Sequence, residues 1–438
     1  MSIADQAMGT ALRGLNRFAQ LEVVDRVGLR QPAERFLYRA TRNGFTAAGA
    51  AGRTFAAAQR LGKPARQSRP TSQDKFDLTP SDEQAMITEA FGDFAAEKLR
   101  KVATEADAAC EAPQDVLDAA NELGTAALGV PEELGGAFEE RSAVTSVLVT
   151  EALAHGDAGL AVSILAPAAV STAISLWGDG DQQSTYLPSF TGENPPAAAL
   201  AVLEPRPLFD PFQLETKARK VGSDYVIDGV KALVPRAADA ELFVIAAELE
   251  GTGPALFIVE AKTDGVLFEA APAMGIRAAG TGTIKLERVG VPETALLATG
   301  AAEAYAECIR LGRLGWCALA CGTAKAVLDH LIPYVNERTA FGEPISHRQA
   351  VAFTISNIAI EAEGMRLATL RAAGLADRGK DFSRETAIAR RLCTAKGMQI
   401  GSDGVQMLGG HGYTKEYPEE RWYRDLRAAG LMEGALLV

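Results

Sequence analysis

The strongest constraint on this chain is a hydrophobic period that changes twice. Between about residues 198 and 298 the apolar positions alternate, in TKARKV, DYVID, ELFVIAAEL, ALFIVEA and TIKLERVGV. Such alternation suits pleated strands with one buried face. Roughly a hundred residues of short strands predict a small barrel or sandwich, and Asp228-Gly229 reads as a hairpin turn. On both sides the apolar spacing is three to four, the period of an amphipathic helix. The first helical stretch opens with LTPSDEQAMITEAFGDFAAEKL. There Thr79 or Ser81 can cap, Pro80 suits a first turn, and Ile87, Phe91 and Phe94 share a face. Beyond about residue 300, the runs 305–332, 347–378 and 383–408 are long and amphipathic, which predicts a four-helix bundle. The expected fold is therefore α+β, with a helical domain at 76–197, a β domain at 198–298 and a helical bundle at 299–438.

The chain has 438 residues, 47% of them hydrophobic, enough for two or three cores. Its five cysteines (Cys110, Cys308, Cys317, Cys321 and Cys393) are scattered, and none is two residues from another. With only four histidines, that spacing argues against a metal clip or redox motif and for reduced core thiols in a cytoplasmic protein. The start lacks the features of a signal peptide. The uncharged stretch 158–177 approaches membrane-spanning length but contains Pro167, three Ser and a Thr, and reads as a buried core helix.

Charge is unevenly spread. Residues 1–75 hold 13 Lys and Arg against 5 Asp and Glu, a balance of +8; the remaining 31 against 51 give −20. An acidic body gives no general steering for polyanions, so nucleic acid is not an expected partner and an anionic cofactor needs local groups. The basic segment puts Arg35, Arg39 and Arg42 on one helical face beside the bulk of Phe36, Phe45 and Phe55. Two readings stay open for it. One is an amphipathic arm on an anionic membrane or a partner; the other is helices packed on the body with a solvated basic face.

Four strings, in order, carry a resemblance. They are LEPRPLFDP at 203–211, MGIRAAGTGTIKLERVGVP at 274–292, ERTAFGEPISHRQAV at 337–351 and GGHGYTKEYPEERWYRD at 409–425, the last preceded by Gln406. From about residue 76 onward the chain resembles the acyl-CoA dehydrogenase family of flavoproteins. The resemblance implies FAD, an acyl-CoA substrate, a dimer or tetramer, and an electron-transfer flavoprotein as acceptor. It further implies a carboxylate that removes the α-proton while the β-hydrogen leaves as hydride. The string LMEGA makes Glu433 the candidate base. The alternative base position on the preceding long helix is Gly312, which cannot serve, and Arg313 beside it matches a family arginine at the substrate floor. Arg338 is implied at the pyrophosphate of a neighbouring subunit's flavin, where a guanidinium can fork onto phosphate oxygens. Phe341, Gln349, Gln406, Gly409 and Gly410 are implied around the same cofactor. Taken alone, Gly409-Gly410 would read as a helix C-cap and turn.

The sequence departs from the family at the loops that should hold the flavin ring. Leu203 and Phe209 stand where the family has Thr and Ser. Leu233, Val234 and Pro235 stand for Trp-Ile-Thr or Trp-Ile-Ser, and proline offers neither hydroxyl nor N–H. Ala435 replaces the Thr after the base, and the further helix usual in the family is not part of the sequence. About four lost hydrogen bonds, at roughly 0.5–1.5 kcal/mol each, weaken cofactor retention by several orders of magnitude. The expected function is FAD-dependent α,β-dehydrogenation of an acyl-CoA. Three further readings accompany it: a flavin-deficient subunit that completes a partner's site, an acyl-CoA or lipid-binding scaffold at a membrane, and an oxidase of the same fold.

Overall fold

The computed structural model of the protein describes residues 79–136, 141–300 and 302–438. The basic segment 1–75, with its Arg35, Arg39 and Arg42 face, lies outside the described residues.

The chain runs from helices to a sheet and back to helices. The first region comprises α1 (Asp82–Phe94), α2 (Arg100–Ala109), α3 (Gln114–Glu122), α4 (Ala143–Gly156), α5 (Ala158–Trp177) and α6 (Gly180–Phe190). Ser81 caps α1: its hydroxyl accepts from the Gln84 amide while the Gln84 side chain accepts from the Ser81 amide. That reciprocal pair satisfies two otherwise orphaned donors. α5 is long and apolar enough to cross a membrane, and nearly all of it is buried within the protein. The core-helix expectation for 158–177 therefore holds within this fold.

The middle region is a curled seven-stranded sheet. Its strands are β1 (Ala198–Ala201), β2 (Lys217–Val221), β3 (Asp224–Val234), β4 (Leu242–Leu249), β5 (Gly253–Glu260), β6 (Val266–Ala270) and β7 (Gly282–Pro292). The order is β1-β4-β2-β3-β7-β6, with β5 paired on β4. β4 runs parallel to β1 and β2, and the other pairs are antiparallel. The expected hairpin at Asp228-Gly229 is not there: both residues lie inside β3, at a register shift against β7. Gly229 is required for a different reason, because a Cβ would sit 2.5 Å from Thr216 Oγ1. Asp228 uses its carboxylate to accept the Arg288 amide at 2.8 Å. The β2–β3 turn is made instead at Gly222, which has φ +66°.

The last region has three long helices, α7 (Ala302–Glu337), α8 (Gln349–Ala376) and α9 (Ser383–Leu408), and two short ones, α10 (Glu419–Asp425) and α11 (Ala428–Leu431). A small hairpin, β8 (Thr339–Ala340) and β9 (Glu343–Pro344), joins α7 to α8. α4 packs along α7, so the helical regions share a core. All five cysteines are free and four are buried.

Candidate active site

Glu433 follows α11, and a network of buried charge positions that helix. Arg424 pairs with Glu420 at 2.9 Å and with Asp107 of α2 at 2.8 Å. Arg421 donates to Asp157, the N-cap of α5, at 3.0 Å. Asp425 accepts the Ile276 amide at 2.6 Å. Burial, and then the neighbouring Asp157, push the Asp425 carboxyl up to about 8. α10 is thus tied to α2, α5 and the loop before β7, and α11 follows from it.

Beyond α11 the backbone turns sharply. Gly434 has φ +71°, and a Cβ there would lie 2.6 Å from Val202 Cγ2. Its carbonyl accepts from Trp316 Nε1 at 2.8 Å, and the Ala435 amide donates to the Leu200 carbonyl at 3.2 Å. An isolated bridge joins Gly434 to Ala201 of β1. This turn delivers Glu433 into the interior, where it is 6% exposed.

Two guanidiniums meet the carboxylate. Arg313 of α7 donates from Nη2 to Oε1 at 2.9 Å and from Nε to Oε2 at 3.1 Å. Arg390 of α9 lies 2.8 Å from Oε1 and also donates to the Met432 carbonyl at 3.1 Å. Burial pulls the Arg390 guanidinium below its ordinary value, and Glu433 opposes that pull. Both carboxylate oxygens are thus engaged, Oε1 by both guanidiniums and Oε2 by Arg313. The structure brings Glu433 and Arg313 together as a buried pair. Arg390 was not foreseen, although it adjoins Ala389 and lies between Thr386 and Cys393, all on the buried face of α9.

A second buried pair joins the two loops implied for the flavin ring. Lys231 Nζ lies 2.9 Å from Glu204 Oε1 and 3.2 Å from the Val202 carbonyl, and the lysine is wholly buried. Glu204 also accepts the amides of Glu215 and Thr216 at 2.7 and 2.9 Å. Burial pulls Lys231 down to about 8, against the attraction of Glu204. Burial tends to raise Glu204, but Lys231 and the two amides hold it below its ordinary value. The Ala232 amide donates to the Leu203 carbonyl at 2.8 Å, so the loops form one unit.

The side chains at these loops pack together as apolar neighbours. Leu203, Met432, Ala435, Leu436 and Trp316 belong to one cluster, with Phe209 and Leu233 packed on it. Gly312, at the alternative base position, faces the same segment: a Cβ there would lie 3.2 Å from the Leu436 carbonyl oxygen. Hydroxyl donors are missing at the implied ring positions, and Pro235 has no N–H.

The residues implied for a neighbouring subunit's flavin are placed oppositely. Arg338, Gln349, Gln406, Gly409 and Gly410 are all exposed. Phe341 is 98% exposed, has φ +54°, and carries the Arg348 guanidinium 5.7 Å from its ring centre. They gather at one end of the bundle, where Tyr334 Oη near the end of α7 bonds the Leu408 carbonyl at the end of α9 at 3.5 Å. Gly409 is also the C-cap of α9, with φ +61°.

The α–β–α subunit thus combines a buried Arg–Glu–Arg cluster with an exposed set of Arg, Gln and Gly at one bundle end. Comparison with known proteins makes this specific. Residues 81–193, 199–289 and 301–436 match the N-terminal, middle and C-terminal domains of acyl-CoA dehydrogenase. The short/branched chain specific acyl-CoA dehydrogenase of Rattus norvegicus is 32% identical over 364 residues, covering 81% of this chain and 83% of that protein. A 3-(aryl)acrylate reductase of Clostridium sporogenes is 30% identical, covering 81% and 95%. The structure of butyryl-CoA dehydrogenase from Megasphaera elsdenii superposes with a TM-score of 0.76 at 27% identity, covering 82% of this chain and 96% of that one. The chain belongs to the acyl-CoA dehydrogenase family, a family of oxidoreductases that act on acyl-CoA.

FAD is the cofactor of this family. The exposed set fits it, supplying a guanidinium for phosphate and glycines that let a backbone approach. The positions implied for this chain's own flavin ring do not supply the expected hydroxyl donors, since they hold Leu203, Phe209 and Pro235.

Proposed function

We propose that this chain serves the α,β-dehydrogenation of an acyl-CoA thioester to the 2-enoyl-CoA as the subunit that completes FAD sites on a neighbouring subunit of the same fold. The supporting observation is the split just described: the outward set is intact and exposed, while the positions implied for the chain's own flavin ring hold Leu203, Phe209 and Pro235 in place of hydroxyl donors. In such an assembly Arg338 neutralises pyrophosphate charge, and Gln406, Gly409 and Gly410 approach the same cofactor. Arg313 and Arg390, held on Glu433, keep this chain's own carboxylate occupied. An electron-transfer flavoprotein is the fitting acceptor; a similar structure at 28% identity concerns the electron transferring flavoprotein of Acidaminococcus fermentans.

A second reading is favoured by the buried Glu433–Arg313 pair. Here Glu433 is the base of the chain's own site and takes the α-proton. The absorption spectrum of the purified chain, after FAD is added and excess dialysed away, separates the two. The first reading expects a colourless chain alone and about one FAD per two chains when it co-purifies with its partner. A stoichiometric flavin band from the chain alone would overturn it in favour of the second, for which loss of turnover in Glu433→Gln is the next test.

A further inference from the structure

A cavity of about 400 Å³ lies between α9, α11 and the loop that leads into β7, and reaches Leu233 at the end of β3. Two close approaches fix its walls. A Cβ on Gly275 would sit 2.4 Å from the Arg424 carbonyl oxygen, and one on Gly430 would sit 2.5 Å from Thr394 Cγ2. Ile276 and Met432 make a buried apolar floor, with Leu233 half-buried beside them. At the mouth, three large apolar side chains from three segments are exposed: Met274, Met398 and Leu431. Single exposed apolar residues are ordinary, but three around one concavity leave an unpartnered apolar surface.

The charge on this cavity is one-sided. Two arginines line it and, among the described residues, no Asp or Glu does. Arg424 is fully used. Its Nε and Nη2 donate to Glu420 at 2.9 and 3.0 Å, and its Nη1 and Nη2 to Asp107 at 2.8 and 3.0 Å. Nη1 also donates to the Met274 carbonyl at 2.9 Å, which exhausts the donors of a guanidinium. Arg427 is different. Its guanidinium lies over the Tyr423 ring, 5.1 Å from the centre, and Nη2 donates to Tyr423 Oη at 2.8 Å. Tyr423 thus holds the cation in place without neutralising it, and no carboxylate pairs with it among the described residues. Thr394 adds a hydroxyl from the α9 wall.

We propose that this cavity binds a carboxylate with an apolar body, its oxygens on the Arg427 fork and its body on Ile276, Met432 and the methionines of the rim. The parallel N–H groups of a guanidinium match the two acceptors of a carboxylate, and the open mouth leaves the remaining lone pairs to water. Methionine adapts its shape to an aliphatic or an aromatic body. Leu233 also stands at a position implied for the flavin ring, so the proposal rests on the reading in which this chain carries no flavin of its own.

The test is calorimetric titration of octanoate, and separately of naphthoate, into the full chain at neutral pH and low salt, after FAD has been added and the excess dialysed away. An absorption spectrum is taken on the same sample. Saturable binding at one site per chain is expected for at least one of the two, and their order tells an aliphatic body from an aromatic one. Arg427→Gln is expected to weaken it about 10- to 100-fold, the worth of hydrogen bonds from a charged donor. Arg427 is exposed, so this variant keeps the fold. Ala273→Trp, which fills the cavity and leaves every charge in place, is expected to abolish binding. A colourless chain overturns the proposal, and leaves the subunit reading standing, if it binds neither carboxylate or binds octanol or octylammonium as tightly. Unchanged affinity in Arg427→Gln or in Ala273→Trp overturns it equally. A stoichiometric flavin band overturns the subunit reading itself, and the proposal falls with it.

Discussion

Replacing Lys231 by Met tests whether the pair that joins the two ring loops is a structural clasp. The variant removes the only cation paired with Glu204 among the described residues and leaves that carboxylate buried with two amide donors. Breaking one side of a buried pair costs about 3–5 kcal/mol. Lys231→Met is therefore expected to lose about that much stability at pH 7, read as the midpoint of urea unfolding followed by circular dichroism. Lys231→Met with Glu204→Gln is expected to recover part of it, because no unpaired charge remains and the glutamine oxygen still accepts the Thr216 amide, while the glutamine NH2 faces the Glu215 amide as donor against donor. The pH dependence follows from the lysine itself. Its folded value, about 8, lies below the unfolded 10.5, so between those limits the unfolded chain holds a proton that the folded chain has released. The wild type should gain stability across that window, by up to about 3 kcal/mol, and the gap to Lys231→Met should widen. A single variant within about 1 kcal/mol of wild type at pH 7, or losses that simply add in the double variant, would refute the clasp.

Three shorter predictions follow from other parts of the structure. Gly434→Ala forces a Cβ against Val202 at positive φ and should cost about 1–3 kcal/mol, with Trp316 emission shifting as its bond to the Gly434 carbonyl is disturbed. Asp425 is raised above its unfolded value, so its contribution to stability is present in acid and fades as pH rises toward about 8. Asp425→Asn should therefore gain on wild type in thermal midpoint between pH 5 and 8.5, and a constant difference would show that Asp425 does not titrate there. Arg338→Ala should leave the melting of the chain unchanged, since the residue is exposed, yet lower FAD retention by the assembly about 10- to 100-fold.

The element order was legible because each element has a period long enough to read. The runs 305–332, 347–378 and 383–408 correspond to α7, α8 and α9 with small changes at their ends. Gly229 misled because Asp-Gly is both a turn signal and a means of close backbone approach. Local sequence cannot tell these apart when Thr216, thirteen residues earlier, makes the difference. Short strings single out Glu433 and Arg313, which the structure pairs, but the second guanidinium depends on α9 packing beside α11. Lys231 could be read as a strand residue, while its burial opposite Glu204 could not. The burial of Leu436 follows a turn at Gly434 whose path is set by β1 and Trp316, both far away in sequence.

That turn also sets an order of events during synthesis. β1 lies at the end of the sheet order, and besides β4 it pairs with the segment at Gly434 and Ala435. A ribosome must add more than two hundred residues after β1 before that partner exists. Until then the nascent β domain carries an open strand edge, the kind of surface that recruits wrong partners. The middle of this protein is thus made early and finished late, and its yield in a cell should depend on how well that edge is shielded while the bundle is still being translated.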